Sequence, residues 1–363
     1  MDNQKIIKNN IRLDKFLHNK LPTYSRSFLK SQIKSGNVLV NNKIKKPSYI
    51  LKPNDKIEVK IATPKKIKSP LSSSPYQGGD KGVVKLKIIY EDKDIIAIDK
   101  PAGISVHPTA SKKQNDTIAN ALLAHYPAIK NVGDQPDLRP GIVHRLDKDT
   151  SGIMIAAKNQ KAFDWLKKQF AERKVVKKYS ALVCGKLKEK KGVIAKPIGK
   201  TKDFRKRTTI SIKGQKEAVT YYEIIRHYLR LLPSDEGRAG RGDERKIRQH
   251  LPPTPSSIQT GNYVACNSFG IKEEGGKKIY YTLVEAKPRT GRTHQIRVHF
   301  ASISHPIAGD KLYAFKRQTP PEGLKRQFLH ASYLKFSLPN GKIIELKSEL
   351  PEDLHQVLDL LNK

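Results

Sequence analysis

The chain has 363 residues, enough for about two domains that each bury a core. Its 71 Lys and Arg stand against 34 Asp and Glu, a formal net charge of +37 that attracts polyanions and points to a nucleic acid as partner. No apolar run approaches the roughly 18 residues needed to span a bilayer, and the polar start "MDNQKIIKNN" lacks the apolar core of a signal peptide, so a cytoplasmic protein without membrane contact is expected.

Residues 1–60 read as one small unit. Leu13, Phe16, Leu17 and Leu21 recur at helical spacing and predict an amphipathic helix. A second helix follows, with Ser25 as its N-cap, Phe28, Leu29 and Ile33 as its buried stripe and Gly36 as its left-handed stop. Then "NVLVNNKIKK" alternates apolar and polar residues about Asn41 and Asn42, which tolerate the positive φ of a tight hairpin. The unit carries fourteen Lys and Arg against four Asp and Glu, a net +10. Two helices and a hairpin at this charge, with "RLDKFL", "YSRSFLKSQIKSGNVLVNN" and "LKPNDKIEV", resemble the S4-type RNA-binding domain. Within these stretches Arg12, Ser25, Arg26 and Lys30 are the candidate RNA contacts.

From 61 to 84 the composition shifts to Lys, Ser, Pro and Gly, too little apolar surface to fold alone, and a flexible linker is predicted. A larger domain, 85–363, opens with "LKIIYEDKDIIAIDKPAGISVHP", two strand-like runs entering a Pro-Gly turn. It is interrupted at 231–278 by a Pro-, Gly- and charge-rich stretch without sustained period, read as an unstructured insertion between the regular strands "AVTYYEIIRHY" and "IYYTLVEAKP". Cys184 and Cys266 are too few for a disulfide framework and lack zinc-site spacing. His294, His299 and His305 are not spaced for one helical face, so no metal is expected.

The stretch "PGIVHRLDKDTSGIMIAAKN", 140–159, sets a charged bend between two short apolar runs. "GIV" and "GIMIAAK" suit buried strands, and Asn159 can cap the helix that continues through Phe163, Leu166 and Phe170. A loop mounted on a sheet is where reactive side chains are commonly carried. Spacing alone leaves an active-site loop and a solvated corner both open. A kinase loop also runs His-Arg before an Asp, but the chain has no Asp-Phe-Gly, and "GKT" at 199–201 lacks the upstream Gly of a P-loop.

"HRLDKDTSG" (144–152) resembles the signature of the RluA-type pseudouridine synthases. "DKPAGISVHP" (99–108), "KKYSALVCG" (177–185) and "TGRTHQIRVHFASISHPIAGDKLY" (290–313) resemble further motifs of that family, in its order. "NALLAHYP" and "RQFLHASYLKF" are similar to the RluD branch. The resemblance implies an α+β catalytic fold, a mixed, mostly antiparallel sheet with flanking helices, behind the small RNA-binding domain. It implies an isomerase that converts uridines of 23S ribosomal RNA to pseudouridine without a cofactor, as a monomer acting on free rRNA or the assembling large subunit.

Resemblance assigns the essential carboxylate to Asp147, as nucleophile or base toward the sugar. A carboxylate shielded from water needs an adjacent cation to stay ionised, and Arg297 matches the family's partner, the alternative being a surface Arg on a strand. Tyr179 matches the family's active-site tyrosine, able to stack on detached uracil and to handle a proton. Arg145 matches the residue that fills the space left by an extruded nucleotide. His144 and Thr150 are expected to shape the loop, Lys100, Arg292 and His294 to support the pocket or meet phosphate, and Lys148 and Asp149 to be ordinary loop residues. From another class, an rRNA-binding assembly factor without chemistry fits the charge equally well.

Overall fold

The apolar spacing of the first unit becomes helices in the computed structural model, whose described residues are 11–21, 26–60, 84–108, 116–201, 203, 206–210, 214–232, 271–273, 276–315 and 318–362. In that unit α1 (Leu13–Lys20) and α2 (Arg26–Lys34) bury Leu13, Leu17, Leu29 and Ile33 against Leu51 and β1 (Val38–Val40). β2 (Lys43–Ile44) and β3 (Ile57–Val59) flank β1, both antiparallel. Asn41 and Asn42 adopt φ 53° and 60°, the left-handed pair that a two-residue hairpin turn requires, and Gly36 at φ 78° closes α2. The predicted Ser25 cap lies outside the described residues.

The larger unit runs β4 (Lys87–Glu91), β5 (Ile95–Lys100), α3 (Ile118–His125), β6 (Ser151–Ala157), α4 (Gln160–Ala171), β7 (Val176–Cys184) and β8 (Lys191–Ile194). It continues through β9 (Gly199–Lys200), β10 (Arg207–Thr208), β11 (Thr220–Leu232), β12 (Ile271–Glu273) and β13 (Gly276–Pro288). It ends with α5 (Gln295–Ser302), β14 (Leu329–Ser337), β15 (Ile343–Lys347) and α6 (Glu352–Asn362). A ten-stranded sheet follows the order β4-β5-β6-β14-β7-β13-β11-β8, with β12 on β13 and β15 on β14. Every pairing in it is antiparallel except β6 with β14, so the sheet is mixed and mostly antiparallel.

Helices cover both halves of this sheet. Ile95, Ile98, Ile153 and Ile155 pack with Leu122 of α3 and with Phe163 and Leu166 of α4. In the other half, Val183 and Val284 meet Ile296 and Phe300 of α5, and Leu182, Tyr281 and Phe328 meet Leu354 and Val357 of α6. Each such fully buried side chain contributes about 1.5–3 kcal/mol of transfer free energy. All seven residues of β6 are buried, as befits a strand at the parallel seam. Gly152 makes the seam possible: at φ 113° its backbone approaches β14 so closely that an added Cβ would strike the Ala331 carbonyl.

Two sequence expectations are corrected. "GIV" forms no strand but a single antiparallel bridge, Ile142 to Ala156. Gly141, at φ 66°, bends the chain there, its N–H donating to Val132 and its carbonyl accepting from Ala157. The predicted insertion 231–278 loses its ends to β11, β12 and β13, while 233–270 and 274–275 lie outside the described residues, as do 61–83 of the linker. Among the described residues no helix is long and apolar enough to cross a membrane.

Candidate active site

The bend between the Ile142 bridge and β6 projects Asp147 toward α5. The loop is pinned by backbone, not by its charged side chains. Lys100, fully buried, donates from Nζ to the carbonyls of Pro101, Ile104 and Lys148 at 2.7, 2.9 and 2.9 Å, and Gly103 N–H also donates to Lys148. On the exit side Arg326 donates from Nη1 to the Asp149 carbonyl at 3.1 Å and from Nη2 to Ser151 Oγ at 3.2 Å. Lys148 and Asp149 therefore matter through their carbonyls. His144 accepts the Ile155 N–H at Nε2, 3.0 Å, and stacks on Phe170 with centroids 4.9 Å apart. Burial, then the nearby Lys177 charge, pulls its pKa down to about 3, so His144 is a neutral acceptor.

Arg297 lies on α5 with only 4% of its surface exposed, which corrects the alternative of a surface Arg on a strand. Its Nε and Nη2 grip the buried Asp310 carboxylate at 2.6 and 2.8 Å, and Nη1 donates to Asp147 Oδ2 at 3.0 Å. Asp310 Oδ1 also accepts the N–H groups of Leu312 and Tyr313, so the carboxylate that orients Arg297 is itself fixed. Burial opposes the guanidinium charge, but Asp310 and Asp147 outweigh it and hold the Arg297 pKa above its ordinary value. This arrangement supplies the bidentate, charge-assisted geometry for which Arg is suited.

His294 faces the other carboxylate oxygen, with Nε2 3.8 Å from Asp147 Oδ1. It sits in the left-handed region, φ 57°, and its Nδ1 is 2.9 Å from the Tyr313 hydroxyl. That hydroxyl also accepts the Arg207 N–H at 2.9 Å, so Tyr313 ties the His294 ring to the backbone of β10. Burial lowers the His294 pKa, with Asp147 opposing, and keeps the ring neutral near pH 7.

These groups open into a cavity of about 510 Å³ whose lining holds Asp147, Tyr179, Arg145, His294 and Arg297. Among the described residues of the lining, Asp147 is the sole carboxylate, against seven Lys and Arg. Tyr179 comes from β7 at its pairing with Ala286 of β13. Burial, reinforced by Asp147, raises the Tyr179 pKa far above that of a free phenol, so its hydroxyl keeps its proton. Arg145 is exposed at the rim, its Nη1 3.2 Å from His107 Nε2, while His107 Nδ1 meets the Pro108 carbonyl at 3.0 Å. Burial and then the Arg145 and Arg139 charges lower the His107 pKa despite that bond, so a neutral ring accepts from Arg145.

The structure thus gathers Asp147, Tyr179, Arg297 and Arg145 in one cavity. In the first unit, Arg12 and Lys30 both meet the buried Asp14, at 3.1 and 3.5 Å. Ser25 and the side chain of Arg26 lie outside the described residues. The sequence reading missed Asp310, Tyr313 and Arg326, although "GDKLY" stood inside a motif already singled out. Arg292, left open between pocket support and phosphate contact, donates from Nε to the Glu217 carbonyl at 3.1 Å while also lining the cavity. Among the described residues no cluster of His, Cys, Asp or Glu could hold a metal ion.

Comparisons with known proteins point to one family. The family model described as RNA pseudouridylate synthase matches residues 94–302, and the S4 domain model matches 11–57. An uncharacterized RNA pseudouridine synthase of Aquifex aeolicus (strain VF5) is 35% identical over 359 residues, 97% of this chain and 94% of that protein. The ribosomal large subunit pseudouridine synthase D of Blochmanniella floridana is 34% identical over 371 residues, 97% of this chain and 95% of its own. The solved structure of human RNA Pseudouridylate Synthase Domain Containing 4 shares the fold, with a TM-score of 0.50 at 22% identity over 76% of this chain and 93% of that one.

Proposed function

The chain belongs to the RNA pseudouridylate synthase family, and we propose from that premise that it isomerises uridines of 23S ribosomal RNA, with Asp147 as the reacting carboxylate. Membership makes it an isomerase acting on uridine in RNA. The ribosomal substrate is supported by relatives named large-subunit synthases, by the S4 domain and by the +37 charge. The observation that carries the site assignment is the 3.0 Å contact of Arg297 with Asp147 in a cavity with no other carboxylate among its described residues.

The reaction breaks the bond from N1 to the sugar C1′, turns the uracil and joins C5 to C1′. N1 gains the proton that C5 loses, so the conversion balances without a redox partner. Arg297 holds Asp147 at 3.0 Å, and the carboxylate attacks the nucleotide or takes a proton from the sugar. Tyr179 offers a flat, protonated phenol to the detached base, fitting it for stacking and for proton exchange near C5. Extruding the uridine costs a few kcal/mol, and Arg145 at the rim is placed to fill the vacated stack. The S4 domain supplies a second RNA contact that raises the local substrate concentration.

The test is pseudouridine mapping in unmodified 23S rRNA transcript incubated with wild-type protein or Asp147→Asn. Wild type should convert discrete uridines, and the variant should bind the same RNA and convert none. Equal conversion by both would remove Asp147 from the chemistry. Inertness of both would leave the substrate elsewhere.

A further inference from the structure

Among the described residues, one of the cations in the cavity wall is held by a carbonyl and a ring alone. Lys177 and Tyr179 are two residues apart on β7, hence on the same face of the strand, and both line the cavity. Among the described residues Lys177 forms no ion pair. Its Nζ is 3.5 Å from the Thr290 carbonyl and 6.0 Å from the centroid of the Phe170 ring. Next to it, Lys178 points to the opposite face and pairs with Glu285 at 2.9 Å. Burial pulls the Lys177 pKa down to about 8, the signature of an ammonium kept from water without a compensating carboxylate. Asp147, the one carboxylate among the described lining residues, is already held by Arg297.

A part-buried cation without a counterion raises the free energy of the empty site, and that cost is recovered when an anion arrives. Uracil and ribose are neutral, so the anionic groups a nucleotide brings are its phosphodiesters. Resting on the proposed RNA substrate, we infer that Lys177 is the binding site for a phosphodiester flanking the extruded uridine. The contact reads charge and position, not base identity, and it would seat the sugar between Lys177 and Asp147.

The experiment measures binding of an oligouridylate RNA to the full-length protein across a NaCl titration, for wild type, Lys177→Gln, Lys177→Arg and Lys178→Gln. Lys177→Gln should weaken binding about tenfold at low salt and reduce the slope of log affinity against log salt by about 0.7, one single-strand phosphate contact. Lys177→Arg should keep the wild-type slope, which separates loss of charge from loss of fold, and Lys178→Gln should keep it because its face is turned away. An unchanged slope in Lys177→Gln, or an equal drop in Lys178→Gln, overturns the assignment. Pseudouridine formation in 23S rRNA is followed in parallel. Its absence with wild type would count against the ribosomal substrate, and the oligouridylate slopes would still decide Lys177.

Discussion

Arg297 reaches Asp147 at 3.0 Å with the one guanidinium nitrogen that its two-pronged grip on Asp310 leaves free. If Asp147 is the reacting carboxylate proposed above, Asp310 acts on the chemistry through Arg297. Asp310→Asn replaces one accepting oxygen by an NH2 that faces an Arg donor, so the grip opens and Arg297 loses its aim. The expected outcome is a fall in kcat of about 100-fold, the scale of a misplacement near 1 Å, with KM nearly unchanged. Breaking the buried pair should also lower stability by about 3 kcal/mol. Initial rates and a thermal melt check both. Wild-type kcat in a destabilised variant would reduce Asp310 to a structural role.

The loop geometry also depends on a residue without a side chain. Gly152→Ala places a Cβ against the Ala331 carbonyl at the β6–β14 seam, at a φ of 113° that other residues rarely adopt. We expect a loss of about 3 kcal/mol, among the larger single-residue effects. Gly214, at φ 87° with open space around it, is the control, and Gly214→Ala should cost about 1 kcal/mol. Denaturant melts of the two variants measure the difference, which an equal loss in both would contradict.

His144 makes the fold sensitive to acid. Its pKa in the folded chain is about 3 against an ordinary 6.5, so between these values the unfolded chain binds a proton that the folded one refuses. Stability present above pH 6.5 is thus lost as pH falls through that window, at about 1.4 kcal/mol per unit from this group. His144→Gln keeps an acceptor for the Ile155 N–H and removes the titration. Its stability should fall less steeply between about pH 6.5 and pH 4. Burial lowers the pKa of His299, His305 and His330 too, but these titrate in both proteins and cancel in the comparison. Parallel curves would show that His144 takes no part.

The contrast between what the sequence made legible and what it hid follows from range. Leu13 and Leu17, the Asn41–Asn42 turn and the Asn159 cap, which accepts the Ala162 N–H at 2.9 Å, are set by neighbours within a few residues. Their patterns survive in one dimension. The path of the Asp147 loop is set by Lys100 and Arg326, 47 and 179 residues away in sequence, acting on backbone carbonyls that carry no residue signature. "GIV" read as a strand because its apolar run is real, yet Gly141 spends those residues on a bend. The charged bend looked chemical or merely solvated until motifs far along the chain were set beside it. Even then Asp310 stayed hidden, because a carboxylate next to a Gly in "AGDKLY" looks like any turn residue.

The longest of these connections runs from the Asp147 loop to α6. Arg326 donates to the Asp149 carbonyl and Ser151 Oγ while its Nε and Nη2 hold Asp353 at 2.7 and 3.0 Å, in the first turn of that helix. Asp353 is about half exposed, at 55%, so solvent screens the pair and Asp353→Asn should cost well under 1 kcal/mol. Arg326 itself is only 10% exposed and serves several acceptors at once. Lys in its place has one nitrogen and cannot reach Asp353, Asp149 and Ser151 together. Arg326→Lys should therefore loosen the exit of the loop two residues past Asp147, lowering kcat about tenfold and leaving KM close to wild type. Asp353→Asn should lie between the two proteins. If Arg326→Lys lowers the melting temperature yet keeps full kcat, Arg326 ties α6 to the sheet and does not position Asp147.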